Sequence, residues 1–369
     1  MADRADRVFF PGPTAIHPEA RRELRAAEAD GFLSESHRGV VFQRTLEAMV
    51  EALRELLAIP SDYRILLVGS ASEAMERIIQ GTVRDVSGHL VAGAFARRMA
   101  TISGNLGRTP QVLAVGDGES FRKDASRHPD FPLEAEILAL TQNETSTGSR
   151  IPPQHLHALA DEVRDREALV VVDLVSGWPT EGVDPARVDC GFFSVQKGFG
   201  LPAGLGVMVV SPGLVDRARQ MEAEGHSTGG YFGIPDLVAA ADRNQTRATP
   251  NMLAVRLLGA VAKAYARDGR DRLAAQGEDR ARRFWQGIQG CSRLRPFVED
   301  DELRSRTILV VDVEGRADDL REGLAQRGFL VGDGYGPWKG RHLRVANFPV
   351  QSSEMLEDLT RALQELTEG

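Results

Sequence analysis

Apolar residues follow two different patterns along this chain. Between residues 41 and 58 they return at helical spacing, through Phe42, Leu46 and Met49, and predict an amphipathic helix. Residues 169–172 are apolar without a break, as in strands that are buried on both faces of a parallel sheet. Similar runs predict strands at 65–68, 88–92, 111–115, 137–141, 168–173, 191–196 and 205–210.

Helical patterns such as 153–166 lie between several of these strands. Strands that alternate with helices predict an α/β fold with a mostly parallel sheet. A long helical pattern at about 251–286 leads into a strand at 307–313, a helix at 318–327, strands near 329–332 and 342–346 and a last helix at 354–366. We therefore expect a large domain of residues 16–258 and a smaller α+β domain of residues 259–369, which also takes the N-terminal arm 1–15.

Composition and charge exclude several classes of protein. The 369 residues are 42% hydrophobic, which is enough for a sizeable core, and the net charge of −8 argues against a nucleic-acid partner. The apolar runs are too short to span a bilayer, and the start Met1-Ala2-Asp3-Arg4 lacks the apolar stretch of a signal peptide. Two distant cysteines and the lack of an HExxH motif predict neither a disulfide framework nor a metal site. We expect a soluble, cytoplasmic protein.

Two ionisable residues at the ends of predicted strands are candidate catalytic residues. Asp173 ends the run 169–173, and Lys197 follows 191–196, 24 residues later. The carboxyl ends of strands are where α/β sheets bind ligands. Alone, Asp173 also fits a helix N-cap or a turn, and Lys197 also fits a solvated side chain. Together they match pyridoxal phosphate (PLP) chemistry, in which an amine forms an imine and a carboxylate keeps the pyridine nitrogen protonated.

The segment 69–73, Gly-Ser-Ala-Ser-Glu, is a candidate phosphate site. It follows the strand at 65–68, and Ser70 and Glu73 have the spacing of a capping box at the start of a helix. Free N–H groups at such a start bind phosphate readily. Taken alone, the segment also fits an ordinary capped helix, and no Gly-Lys-Ser/Thr follows to make it a P-loop.

The chain resembles the class V aminotransferases, which are fold-type I PLP enzymes, and is most similar to their phosphoserine aminotransferase branch. The resemblance covers nearly the whole chain and is carried by short motifs in a fixed order. These are Phe10-Pro11-Gly12-Pro13, Ser36-His37-Arg38-Gly39, Gly69-Ser70-Ala71-Ser72, Asn143-Glu144-Thr145, Asp173-Leu174-Val175-Ser176, Gln196-Lys197, Ala248-Thr249-Pro250 and Leu343-Arg344-Val345-Ala346-Asn347.

The resemblance implies a role for each site residue. Lys197 is the expected Schiff-base lysine and Asp173 the pyridinium partner. Arg344 is expected to bind the substrate α-carboxylate, and His37 and Arg38 its distal anionic group. The remaining expected cofactor contacts are Ala71, Ser72 and Gln196 at the phosphate, Phe95 stacked on the ring, Thr145 at the phenolic oxygen, Ser176 and, at the phosphate from the other subunit of a homodimer, Thr249.

The resemblance further implies a transaminase that moves an amino group from a donor such as glutamate to a small 2-oxo acid, with 3-phosphohydroxypyruvate and phosphoserine as the candidate pair. The alternatives are an alanine–glyoxylate-type or specialised-pathway aminotransferase and, less favoured, a PLP lyase of the cysteine desulfurase or kynureninase kind. The sequence departs from the branch at Phe95, where Trp is usual, and at Ala248, where Asn is frequent. Both departures leave the PLP prediction unchanged and concern only which substrate is bound.

Overall fold

A computed structural model describes residues 7–164 and 166–368 of the chain. Residues 1–6, which include the start used for the targeting prediction and part of the expected N-terminal arm, lie outside the described residues, as do Asp165 and Gly369. The strands are β1 (Val8–Phe9), β2 (Arg64–Val68), β3 (Val86–Val91), β4 (Thr109–Ala114), β5 (Ile137–Thr141), β6 (Asn143–Glu144), β7 (Ser149–Arg150), β8 (Leu169–Asp173), β9 (Cys190–Ser194), β10 (Gly206–Val210), β11 (Leu294–Pro296), β12 (Ile308–Val313), β13 (Leu330–Asp333) and β14 (His342–Ala346).

The α-helices begin and end close to the predicted positions wherever the sequence predicted one, except in the segment 251–286. They are α1 (Pro18–Ala29), α2 (Val40–Leu57), α3 (Ala71–Thr82), α4 (Ala94–Asn105), α5 (Pro153–Arg164), α6 (Pro212–Ala223), α7 (Ile234–Ala241), α8 (Met252–Asp268), α9 (Arg270–Ile288), α10 (Ala317–Gln326) and α11 (Ser353–Glu368). The single long helix expected at 251–286 is two helices, because Gly269 adopts a φ of 84° and breaks the run.

The larger sheet is mostly parallel, as the sequence predicts. Its seven strands lie in the order β2-β10-β9-β8-β5-β3-β4, and only β10 runs against its neighbours β2 and β9. Strand β8 explains the unbroken apolar run. Val170 and Val172 face one hydrophobic core, and Leu169 and Val171 face a second core on the opposite side. A strand covered on both faces needs apolar side chains at every position.

The smaller sheet has the order β1-β13-β14-β12-β11 and is antiparallel apart from the pairing of β1 with β13. Helices α9, α10 and α11 supply the third hydrophobic core, which covers one face of this sheet. The pairing of Val8 with Leu330 attaches the N-terminal segment to the smaller sheet.

We propose that the chain divides into two domains at Gly269, with the N-terminal arm in the smaller one. The division expected at 258/259 falls inside α8, whose buried residues join the core of the larger sheet up to Tyr265. A domain boundary is more compatible with the break between α8 and α9. Within the described residues, no helix is both long enough and apolar enough to cross a membrane.

Candidate active site

Six of the seven strands of the larger sheet run in the same direction, and five of them are followed at their carboxyl ends by predicted site residues. Strands β2, β3, β5, β8 and β9 are followed there by the segments 69–73, 93–95, 143–145, 173–176 and 196–197. Parallel strands place their carboxyl ends together, so the motifs found separately in the sequence meet around one cleft.

Lys197 and Asp173 are both buried at this edge. The Lys197 Nζ donates a hydrogen bond to Thr145 Oγ1 at 2.7 Å and lies 5.1 Å from the centre of the Phe95 ring. Burial lowers the pKa of Lys197 to about 8, although the nearby Asp173 carboxylate opposes the change. Burial raises the pKa of Asp173 to about 6, although the hydrogen bond that its carboxylate accepts from Val175 N at 2.9 Å and the nearby charge of Lys197 oppose the change.

Thr145 is held in place by Ser176 and Asn143. The Ser176 hydroxyl donates to Asn143 O at 2.8 Å and accepts from Thr145 Oγ1 at 3.0 Å and from Asn143 Nδ2 at 2.9 Å. A serine hydroxyl can donate one hydrogen bond and accept two, so these three bonds use the full capacity of the Ser176 hydroxyl. In this arrangement Ser176 orients Thr145, and its expected contact with the cofactor stays a prediction.

Phe95 lies at the start of α4, where a buried carboxylate takes the role of the missing N-cap side chain. The cap residue is Gly93, and the Glu144 carboxylate accepts from the amides of Phe95 at 3.1 Å and Ala96 at 3.0 Å. Ser146 Oγ accepts from Ala94 N at 2.9 Å. A carboxylate at a helix N-terminus is favoured by both the free amides and the helix dipole. Phe95 is therefore presented by a fixed helix end.

The start of α3 has the predicted cap. Ser70 Oγ accepts from Glu73 N at 3.2 Å, and the Glu73 carboxylate accepts from Gly69 N at 2.8 Å. The Ala71 amide, expected at the cofactor phosphate, already donates to Ser194 Oγ at 2.9 Å. The Ser72 amide has no acceptor within the described residues. Of the first three amides of α3, that of Ser72 is the one without an acceptor among the described residues, and the expected contact of Ala71 with the phosphate stays a prediction.

Arg344 reaches the cleft from β14 of the smaller sheet. Its Nε donates to Asp333 O at 2.6 Å and its Nη1 to Thr145 O at 3.2 Å. Its guanidinium carbon lies 5.4 Å from the centre of the Tyr335 ring, and burial lowers the pKa of Arg344. The geometry thus places a desolvated cation beside Thr145, the partner of Lys197.

Arg98 also belongs to this cleft, although the sequence analysis did not find it. It lies three residues after Phe95 on α4, and its guanidinium carbon is 4.8 Å from the centre of the Phe95 ring. Its Nη1 donates to Ser72 Oγ at 3.3 Å and its Nη2 to the Tyr335 hydroxyl at 3.1 Å. The i, i+3 spacing from Phe95 was the available signal, because residues so spaced share a helix face.

The turn-rich N-terminal segment closes over Lys197. A Cβ atom placed on Gly12, whose φ is 148°, would lie 3.1 Å from both Cε and Cγ of Lys197. Thr14 N donates to Gln196 O at 3.0 Å. Glycine is required at position 12 because the backbone passes directly against the lysine side chain.

The structure does not bring all predicted site residues together within one chain. Arg38 donates to Gln245 Oε1 at 3.0 Å, to Thr246 O at 2.7 Å and to Arg247 O at 3.3 Å. His37 Nε2 lies 3.4 Å from Thr249 Oγ1. These residues form their own exposed cluster, and none of the hydrogen bonds that they make within the described residues reaches the cleft at Lys197. The Gln196 side chain makes no hydrogen bond within the described residues.

Comparison with known proteins gives a consistent set of similarities. The profile of the family "Aminotransferase class-V" matches residues 12–336. A phosphoserine aminotransferase of Rhodococcus jostii (strain RHA1) is 25% identical over 366 residues, which are 97% of this chain and 94% of that protein. A crystal structure of a phosphoserine aminotransferase from Cytophaga hutchinsonii has a TM-score of 0.92 and 34% identity, and the match covers 98% of this chain and 99% of the other. An alanine–glyoxylate aminotransferase from Nostoc sp. has a TM-score of 0.80 at 21% identity, over 98% and 95% of the two chains, which shows a shared fold.

Proposed function

The chain belongs to the class-V aminotransferases and is a PLP-dependent transaminase, and from this premise we propose that its acceptor is a small 2-oxo acid with a second anionic group, with glutamate as the amino donor. The candidate pair is 3-phosphohydroxypyruvate and phosphoserine. The observation that carries the proposal is the buried Lys197 amine, which lies with Asp173 and two guanidinium groups in one cleft.

The donor set of the cleft fits PLP. The Asp173 carboxylate is buried and accepts one hydrogen bond from the described residues, so it has capacity for a cationic partner such as a protonated pyridine nitrogen. Asn143 Oδ1 is buried and has no hydrogen-bond partner in the part of the chain that the structure describes. The Ser72 amide supplies a donor for an anion. A group with a protonated ring at one end and a phosphate at the other would satisfy both sets.

PLP, when bound, supplies an electron sink for the electron pair that is released when the substrate Cα–H bond breaks. Lys197 Nζ would hold the cofactor covalently and afterwards accept the proton from Cα, for which a neutral amine is required. The Asp173 carboxylate would hold the proton on the pyridine nitrogen. Thr145 would hydrogen-bond the phenolic oxygen, Phe95 would stack on the ring, and Ser72 would bind the phosphate.

Arg344 would bind the α-carboxylate of the substrate. A planar guanidinium makes two parallel hydrogen bonds to a carboxylate. The Nε and Nη1 bonds to Asp333 O and Thr145 O fix the orientation of the side chain, while Nη2 makes no hydrogen bond within the described residues. Arg344 is therefore ordered before the substrate arrives, which lowers the entropy cost of binding.

We propose a homodimer in which His37, Arg38 and Thr249 serve the cleft of the neighbouring protomer. The bonds of Arg38 to residues 245–247 would stiffen the loop that carries Thr249, and His37 lies beside the Thr249 hydroxyl. Exposed apolar side chains lie close to this cluster in sequence, at Leu33, Val40, Val41 and Tyr231. Burial of such a surface against a second copy is a common basis of dimer formation.

The lyase alternative finds no support in the two cysteines. A desulfurase needs a reactive thiol, whereas Cys190 and Cys291 are both buried. Cys190 lies within β9, and burial raises the pKa of its thiol. A buried thiol of raised pKa is a poor nucleophile.

The substrate proposal is tested by transamination with purified cofactor-loaded protein. We expect a higher kcat/KM for phosphoserine with 2-oxoglutarate than for alanine with glyoxylate. Lys197→Ala should stay folded by circular dichroism and lose both the cofactor attachment and the amino transfer, whereas Lys263→Ala, at an exposed position of α8, should retain both. Preference for alanine would favour the alanine–glyoxylate alternative, and substantial turnover by Lys197→Ala would remove Lys197 from the mechanism.

A further inference from the structure

Two guanidinium groups flank Tyr335 without a carboxylate partner. Arg98 bonds the Tyr335 hydroxyl and Ser72, while Arg344 lies against the Tyr335 ring and bonds two carbonyl oxygens. Neither forms a salt bridge within the described residues. By contrast, Arg256, another partly buried arginine, pairs with Glu23 at 2.5 Å and with Asp30 at 2.7 Å. A partly desolvated cation without a counter-charge is costly, and a bound anion would offset that cost.

Arg98 and Lys197 both lie against the ring of Phe95. The Phe95 ring has Lys197 Nζ 5.1 Å from its centre and the Arg98 guanidinium 4.8 Å from it. The positive charges of Arg98 and Arg344 both contribute to lowering the pKa of Lys197. The two guanidinium groups therefore border the same cleft as the amine, one on α4 and one on β14.

We propose that Arg98 determines specificity by binding the second anionic group of the substrate, a phosphate or side-chain carboxylate, while Arg344 binds the α-carboxylate. This inference rests on the proposed function. The present partners of Arg98 are the neutral hydroxyls of Ser72 and Tyr335, so an anion can replace them or join them. Bonds from an ionised donor to an ionised acceptor are roughly twice as strong as neutral ones. Fixed between two hydroxyls, the guanidinium presents a preformed site.

The anion bound by Arg98 could instead be the phosphate of the cofactor, because Arg98 bonds Ser72, which is expected at that phosphate. The two sources are separated by measuring cofactor affinity and ligand affinity on the same variants. 3-Phosphoglycerate and lactate are suitable probes. Both are hydroxy acids that cannot be transaminated, and the phosphate is the principal difference between them.

The variants are Arg98→Gln, Arg98→Lys and the control Arg97→Gln. Arg97 is exposed on the same helix, and its side chain makes no hydrogen bond or ion pair within the described residues. Dissociation constants of both probes are measured on the cofactor-loaded enzyme, and that of PLP on the cofactor-free protein. Arg98→Gln should weaken 3-phosphoglycerate binding about tenfold to a hundredfold and change lactate and PLP binding less than about threefold. Arg98→Lys should restore part of the loss, and Arg97→Gln should match the wild type.

Equal weakening of both probes, equal effects of Arg97→Gln and Arg98→Gln, or a loss confined to PLP affinity would overturn the inference. Phosphoserine transamination, measured in parallel, separates this inference from the proposed function. If the wild type does not transaminate phosphoserine but Arg98 still governs the discrimination between probes, the proposed substrate fails and the inference stands. If wild type and Arg98→Gln transaminate phosphoserine with equal kcat/KM, the inference fails and the proposed function stands.

Discussion

Lys197 and Asp173 have shifted pKa values in opposite directions because burial disfavours both charged forms. The pKa of Lys197 falls to about 8 and that of Asp173 rises to about 6. Each residue also stabilises the charge of the other. The Asp173 carboxylate favours the ammonium form of Lys197, whereas Arg344 and Arg98 favour the neutral amine. A lysine with this balance is neutral at a far lower pH than a solvated one.

We expect the attachment of PLP to cofactor-free protein to accelerate as the pH rises through about 8, since the neutral Lys197 amine is the attacking form. Asp173→Asn should move the midpoint to lower pH, because it removes the carboxylate that stabilises the ammonium. The measurement is the rate of change of cofactor absorbance over a pH series.

Asp216→Asn is the control for this series, because Asp216 is exposed on α6 and pairs with Arg219. Its midpoint should equal that of the wild type. An unchanged or higher midpoint in Asp173→Asn would contradict the electrostatic coupling between the two site residues.

The start of α4 shows how a helix end can be capped from elsewhere in the chain. Glu144 and Ser146, which follow β5, bond the amides of Ala94, Phe95 and Ala96. The space that a cap side chain would fill is already occupied. A Cβ on Gly93 would lie 2.4 Å from Glu144 Cγ and 2.6 Å from Ser146 Oγ. The arrangement therefore requires glycine at position 93, because a Cβ atom there would overlap Glu144 and Ser146.

Gly93→Ala should therefore lower the free energy of unfolding by about 1–3 kcal/mol, the usual range for overpacking. It should also weaken PLP binding, because displacement of the helix start moves Phe95. Gly182→Ala is the matched control, since Gly182 is exposed and a Cβ there meets no atom within 4 Å. Denaturant unfolding and cofactor titration test both variants, and equal stabilities would show that the Glu144 cap tolerates the extra methyl group.

The two sheets meet at the cleft through contacts between distant segments. Thr307 Oγ1 donates to Ser176 O at 2.6 Å, and Ser305 N donates to Gly148 O at 2.8 Å. Arg344 adds its bond to Thr145 O. Because these contacts surround Thr145, the position of the smaller sheet and the geometry of the site are linked.

The proposed dimer predicts complementation between two inactive variants. Lys197→Ala and Thr249→Asp, the latter chosen to repel the cofactor phosphate, should each be inactive as homodimers. If Thr249 serves the neighbouring cleft, a mixed dimer has one cleft with both residues intact, so each mixed dimer formed on reassociation should have up to about half of the activity of a wild-type dimer.

Lys197→Ala mixed with a Lys197→Ala, Thr249→Asp double variant is the control and should stay inactive, because no intact lysine is present. Light scattering on each sample reports the assembly. Failure of the mixed sample to gain activity despite subunit exchange, or an active monomer, would contradict the shared site.

The sequence alone located most helices and strands of the structure, and the exceptions have local causes. The helix predicted at 251–286 is broken at Gly269, because one residue with positive φ interrupts an otherwise continuous apolar pattern. Helix α1 was not predicted, since its buried face within the described residues is made by Ala20 and Ala27 and lacks large apolar side chains. Short strands such as β6 and β7 contain two residues each and carry no periodicity.

The sequence by itself determined the α/β architecture and the residues at the strand ends. Apolar periodicity is a local property, and Asp173, Lys197 and the cap at Ser70 each follow an apolar run that marks its own strand. Only the tertiary structure decided which distant groups complete the site. Arg98 donates a hydrogen bond to Tyr335, which lies 237 positions later in the sequence, and Glu144 caps a helix 49 positions before it. Arg38 donates to a loop that lies 208 positions later. Such pairs leave no local pattern, because they depend on the order of strands in the sheet and on how the two sheets pack.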